Sequence, residues 1–117
     1  MKQPESLEIR TDERNGRREF HVAGELTVST AASLRSAILE GLEAGREIVL
    51  DARGLATVDL AGLQLVCSAH RACASRNVGF ELEAASDAFW ATAQVAGFKT
   101  GRPGCPGLQR PPCLWRG

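Results

Sequence analysis

Four cysteines, two histidines and a pair of aspartates bracketing one short segment are the side chains of this sequence with evident chemistry. A zinc centre is normally assembled from closely spaced pairs such as CxxC. Cys67 and Cys73 stand six positions apart and Cys105 and Cys113 eight, so neither pair forms half of such a centre, and no metal or cofactor is expected. Cys67 and Cys73 read instead as small core residues with free thiols. His70 falls on the apolar side of a helix and reads as a buried histidine satisfied by a backbone hydrogen bond, because no nucleophile motif accompanies it. His21 reads as surface or half-buried. Asp51 and Asp59 resemble a carboxylate pair for acid–base work, but Asp59 is better used as a helix cap and Asp51 as the solvent-facing end of a strand. The glycines at 41, 45, 54 and 62 make no phosphate-binding pattern. No catalytic residue is assigned, and the chain is read as non-enzymatic.

The elements that position these residues follow from hydrophobic pattern. Leu7-Glu8-Ile9-Arg10 alternates, Asn15-Gly16 is a tight-turn pair, and Phe20-His21-Val22-Ala23 follows, which together signal a hairpin with Arg17-Arg18-Glu19 at its wet end. Thr27 to Ala44 is predicted as a helix with Ala31, Leu34, Ile38 and Leu42 inward, stopped by Gly45. The unalternated run Ile48-Val49-Leu50 predicts a strand ending at Asp51, covered by helices on both faces. Asp59 then caps a helix from Leu60 to Ser75. Its apolar arc holds Leu60, Leu63, Val66, Cys67, His70, Cys73 and Ala74, and Gln64, Ser68, Arg71 and Ser75 stay wet. Val78 to Leu82 is a further strand, and Ser86 caps a last helix through Ala96, with Phe89, Ala93 and Ala96 inward and Gly97 closing it. Strand-helix-strand units of this spacing form right-handed crossovers between parallel strands.

Four of these segments in combination resemble the STAS domain family, which includes bacterial anti-sigma factor antagonists. They are Gly24-Glu25-Leu26-Thr27 before the first helix, the strand ending Val49-Leu50-Asp51, the loop Val58-Asp59-Leu60-Ala61-Gly62-Leu63, and Gly79-Phe80-Glu81-Leu82 after the second helix. The resemblance covers roughly residues 6 to 98. It implies an α/β, STAS-type fold: a central mixed sheet of four to five strands with about three helices packed mainly on one face. In the antagonists, the residue after the loop aspartate is a serine that an anti-sigma kinase phosphorylates. Here that residue is Leu60, followed by Ala61, and neither has a hydroxyl to accept phosphate. The resemblance therefore implies a partner-binding surface of Thr57, Asp59, Leu60, Ala61, Gly62 and Gln64 without the usual switch. The remaining hydroxyls near it are Thr57 in the loop, the phosphorylation candidate, and Ser68 and Ser75 on the helix. The expected partner is a protein: an anti-sigma factor-like kinase, or a subunit of a lipid-transport ABC system or chemotaxis assembly.

Composition narrows the alternatives. A chain of 117 residues, 44% hydrophobic and 24% charged, is ordinary for one globular domain. No apolar run approaches the ~20 residues of a membrane span, so membrane insertion is not expected. The polar start Met1-Lys2-Gln3-Pro4-Glu5 does not read as a secretory leader, which makes the cytoplasm the expected compartment. Residues 1–99 carry 11 Lys and Arg against 14 Asp and Glu, while 100–117 carry three Arg and no acid. A domain at −3 with no basic stripe offers phosphates little, so no nucleic-acid partner is expected. A domain is thus expected over residues 1–99. Residues 100–117, with four prolines, four glycines and no periodicity, read first as a disordered tail, the alternatives being a replacement for a terminal element or a non-native stretch.

Overall fold

The computed structural model describes residues 6–96. Along them run β1 (Leu7–Arg14), β2 (Arg17–Leu26), α1 (Ala31–Glu43), β3 (Glu47–Val58), α2 (Leu60–Ser75), β4 (Phe80–Ala85) and α3 (Asp87–Val95). Asn15 and Gly16 join β1 to β2 with φ of 55° and 78°, the two positive values that a two-residue turn needs to match strand twist. The sheet order is β1-β2-β3-β4. β1 and β2 are antiparallel, whereas β2 with β3 and β3 with β4 are parallel, so α1 and α2 are the crossovers. This is the expected mixed α/β sheet with three helices.

The helices share one face. Leu34, Ile38 and Leu42 of α1, Leu63, Val66 and Cys73 of α2, and Phe89 and Ala93 of α3 form one buried cluster with Phe20, Val22, Ile48, Leu50 and Ala52 of the strands. Glu19, His21, Val49 and Asp51 alternate with those strand residues and lie on the opposite face. The prediction that helices cover both faces of Ile48–Leu50 is therefore corrected. Val49 is only 2% exposed without belonging to the core cluster. It sits between Glu19 and Glu81 in the register, on a face where Arg17 reaches across β3 to Glu81 at 2.6 Å. Polar side chains bury it, their stems lying over apolar surface while their charged ends pair. Glu19, expected at a wet strand end, is likewise buried.

Several boundaries also move. β3 continues past Asp51 to Val58 because Gly54 lets β2 lie close: a Cβ there would stand 2.9 Å from the Ala23 Cβ and 3.0 Å from the Val22 carbonyl. Two register irregularities, between His21 and Ala23 and between Gly24 and Glu25, accommodate the pairing that reaches Leu26 with Val58. β4 starts at Phe80 rather than Val78, because Val78 N–H donates to the Cys73 carbonyl at 2.8 Å and belongs to the exit of α2. α1 starts at Ala31 rather than Thr27. The Thr30 hydroxyl accepts from Thr27 N–H at 2.9 Å and donates to the Glu25 carbonyl at 2.8 Å, which fixes a turn before the helix. At the other end Gly45, with φ of 75°, lets its own N–H reach the Leu42 carbonyl and Arg46 N–H reach that of Gly41, satisfying the last turn as anticipated. Ser86 caps α3 as expected, accepting from Phe89 N–H at 3.1 Å, but Ala96 is exposed. Gly97, the boundary at residue 99 and the tail with Cys105 and Cys113 lie outside the described residues.

One carboxylate ties the two crossovers together. Asp59 Oδ1 accepts from Gly62 N–H at 2.9 Å, capping α2, while its Oδ2 accepts from Val28 N–H at 3.0 Å in the turn before α1. Asp59 N–H in turn donates to the Leu26 carbonyl at 3.1 Å. Gly62 sits directly over that carbonyl: a Cβ would meet the Leu26 oxygen at 2.6 Å. We expect Asp59→Ala to cost about 1–2 kcal/mol, mostly the lost cap, and Asp59→Asn to recover part of it. Gly62→Ala is expected to cost about 1–3 kcal/mol through overpacking against backbone, and Ile38→Ala about 2–5 kcal/mol through a core cavity. Urea denaturation of the three alanine variants and Asp59→Asn measures each; a neutral Gly62→Ala would show that α2 can retreat from β2.

Candidate functional site

The links from β2 to α1 and from β3 to α2 each leave one large apolar side chain in solvent. Leu60, the first residue of α2, is 50% exposed and Val28 is 72% exposed. Because Asp59 lies between them in space, holding Val28 N–H and the first turn of α2, both are mounted on one rigid joint. A groove of about 510 Å3 opens next to them between α1 and α2, lined by Ala32, Arg35 and Leu39 on one side and Ala61, Gln64 and Ser68 on the other. The lining is mainly aliphatic, with Arg35, Gln64 and Ser68 as its polar members.

The predicted residues are placed as follows. The expected loop over Thr57–Gly62 is in fact the last two residues of β3, one cap and the first turn of α2. Thr57 and Gln64 are exposed, Ala61 is half-buried in the groove wall, and Leu60 points out rather than joining the apolar arc of α2. Gly62 is buried against Leu26 and serves packing, so it offers no surface. Asp59 has both carboxylate oxygens occupied by backbone N–H groups. Val28 was missed, since a helix from Thr27 hides it. Three hydroxyl residues in the run from Thr27 to Thr30 were the available sign of a turn.

The buried reactive groups divide between the two faces. In the core, the Cys73 thiol is pushed up to about 11 by burial, which leaves it protonated and inert. His70 is also buried, and desolvation lowers its pKa, so it is neutral near pH 7. The backbone hydrogen bond expected for it is absent at Nδ1, which has no partner among the described residues. The ring instead packs against Phe80, centroids 5.7 Å apart. On the open face Asp51, expected to meet solvent, is buried within β3. It accepts from the Arg53 backbone and side chain at 3.1 and 3.0 Å, and its Oδ2 lies 3.1 Å from His21 Nδ1. Burial pushes the Asp51 carboxyl up, but the Arg53 and His21 hydrogen bonds outweigh it and hold the group below its ordinary value.

No helix among the described residues is long and apolar enough to cross a membrane. No curated protein sequence matches the chain. Solved structures do. An anti-sigma factor antagonist from Mycobacterium paratuberculosis superposes with a TM-score of 0.72 at 20% identity, covering 83% of each chain. The unphosphorylated anti-sigma factor antagonist SpoIIAA gives 0.66 at 18% identity, over 78% of this chain and 82% of that one. An antisigma-factor antagonist STAS domain from Rhodobacter sphaeroides gives 0.53 at 16%, over 70% and 94%. At such identities these likenesses establish the fold. The family model described as "Mlab, STAS domain" matches residues 9–108, and with it the joint of β3 and α2 takes its place in a known architecture: this chain belongs to the STAS domain family.

Proposed function

We propose that this protein is a non-enzymatic regulatory module of the anti-sigma factor antagonist type, which binds its protein partner through Leu60, Val28 and the adjoining groove wall at Ala61 and Gln64. The observation that carries this reading is Leu60. A leucine half exposed at the start of a helix, beside a second exposed aliphatic on the same joint, is apolar surface that a partner would cover. In the antagonists this chain resembles, the corresponding residue is a phosphorylated serine. A phosphate there adds nearly two negative charges at the positive end of a helix, which repels or reorders whatever is docked. Leucine removes that possibility and supplies contact area instead. The contact is then constitutive.

The partner class that fits is an anti-sigma factor-like kinase, bound without being able to modify this position. A second reading rests on the same chemistry. Loss of the hydroxyl at both Leu60 and Ala61 suits a permanent subunit of a larger assembly, such as the STAS components of lipid-transport ABC systems or chemotaxis complexes, where no release step is needed. Thr57, exposed at the end of β3, is the phosphate acceptor that would restore switching.

Leu60→Glu tests the surface. A glutamate at the first helical position is compatible with the helix dipole, so stability is expected to change by no more than about 0.5–1 kcal/mol. Affinity for the partner is expected to fall by tenfold or more, the cost of losing an anchor of about 1.4 kcal/mol or above. Pull-downs from the native lysate with wild type and variant, read by mass spectrometry, identify what is lost. An ATPase-like anti-sigma factor supports the first reading, transporter or chemotaxis subunits the second, and an unchanged set of partners removes this surface from consideration. In a parallel assay with the recovered kinase, peptide mapping is expected to find no phosphate on residues 57–64. Incorporation at Thr57 would replace constitutive contact with a displaced switch.

A further inference from the structure

The open face of the sheet gathers three groups that no helix among the described residues covers. Asp12 of β1 and Glu19 of β2 are direct cross-strand partners, and His21 follows Glu19 on the same face. His21 in turn stands opposite Asp51 of β3. Like charges placed directly across a strand pair destabilise it unless something positive lies between them. His21 Nε2 lies 3.5 Å from Asp12 Oδ2 and 3.6 Å from Glu19 Oε1, and one ligand atom from each of the three residues falls within 4.8 Å of the others.

Three observations decide what belongs at their focus. Glu19 is 9% exposed and has no hydrogen-bond donor among the described residues; its nearest arginine nitrogen is Arg14 Nη2 at 4.0 Å, on a side chain that is 70% exposed. Asp12 has Arg10 Nε at 3.7 Å, on a side chain equally exposed. His21 Nε2 is buried and makes no hydrogen bond. The tautomer follows from the other nitrogen. Asp51 can only accept, so Nδ1 carries the proton shared with Asp51 Oδ2 at 3.1 Å, and this is the tautomer a metal would take at Nε2. Nε2 then presents a lone pair toward two carboxylates. A buried carboxylate and an imidazole lone pair converging on one point, with a second carboxylate orienting the ring from behind, is the donor set of a transition-metal site. Tetrahedral ligands held roughly 2.0–2.2 Å from zinc stand about 3.3–3.6 Å apart, which matches both Nε2 separations.

We propose that Asp12, Glu19 and His21 bind a divalent metal of the zinc type, with Asp51 as the residue that positions His21. The recess of about 470 Å3 beside His21 lies on its Asp51 side, lined by Arg10, Asp51 and Arg53, and so borders the positioning residue and not the focus of the three ligands. The metal would cross-link the edge strand β1 to β2.

Calorimetric titration of the purified full chain with Zn2+ at pH 7, and with Mg2+ for comparison, tests this. One equivalent of Zn2+ is expected to bind to wild type and to the double variant Cys105→Ser/Cys113→Ser. His21→Gln and Asp12→Asn are expected to weaken binding by at least about tenfold, and Asp51→Asn by roughly 10- to 100-fold, the range for a group behind a ligand. Absence of saturable binding, equal affinity in the His21 and Asp12 variants, or loss in the cysteine variant overturns the site. If either ligand variant fails to fold, by circular dichroism of the metal-free protein, Co2+ bound to wild type decides. Four-coordinate absorption without thiolate charge transfer supports the site, and thiolate charge transfer overturns it.

Discussion

The starts of α1 and α2 are both set by the carboxylate of Asp59. Its two oxygens accept from backbone groups that belong to different crossovers, Gly62 in α2 and Val28 before α1, while its own N–H closes onto Leu26 at the end of β2. Three chain segments are thereby fixed around one residue. Gly62 completes the joint by omission, since no Cβ fits above the Leu26 carbonyl. The geometry also dictates what cannot be buried. With α2 pressed against β2 at Gly62, the residue one turn corner earlier has no core to enter, and Leu60 is turned to solvent beside Val28. Apolar exposure here is a product of tight backbone packing. A surface held this way is ordered before any partner arrives, so binding to it forgoes little conformational entropy.

What could be read from the sequence divides along the same lines. Local signals carried the hairpin turn at Asn15-Gly16, the Asp59 and Ser86 caps, the Gly45 stop and the inward residues of α1, because each depends on a neighbour within four positions. Long-range pairing was not legible. Nothing near Asp51 announces that Gly54 permits the strand to run on to Val58, and nothing near Glu19 announces that β3 places Val49 beside it, with Glu81 of β4 one strand further on. The start of α1 failed for a related reason: Thr27 to Thr30 satisfies helical periodicity, but the Thr30 hydroxyl binds the end of β2 instead. On this surface the exposure of Gln64 followed from helical periodicity, whereas the exposure of Val28 and the burial of Gly62 required the packing of three elements.

The two faces of the sheet follow different rules. The helical face is specified by volume, and its buried thiol and imidazole are kept uncharged by desolvation. The open face is specified by charge and register. There the alternation of β2 with β3 buries Val49, Glu19 and Asp51 without a described helix above them, on a face where arginines pair across the strands, as Arg17 does with Glu81. Isolated pairs of this kind contribute little stability at an exposed surface. Their effect is to fix which strands lie side by side, since a one-residue slip would send every one of these charges to the core side.

β3 connects these two regimes in a single strand, carrying Asp51 on the open face and delivering Asp59 at its end. On the proposed reading this has a consequence for control. A serine at the start of α2 makes occupancy depend on a kinase and a phosphatase, both acting on this chain. Leucine has no proton to lose and no oxygen to modify, so contact centred on Leu60 and Val28 is insensitive to pH and to phosphate at that position. The remaining variables are the amount of each partner and the integrity of the joint that presents the surface. Because that joint rests on one carboxylate with both oxygens engaged and one glycine without room for a side chain, the sequence constraint shifts from the contact residue to the residues beneath it.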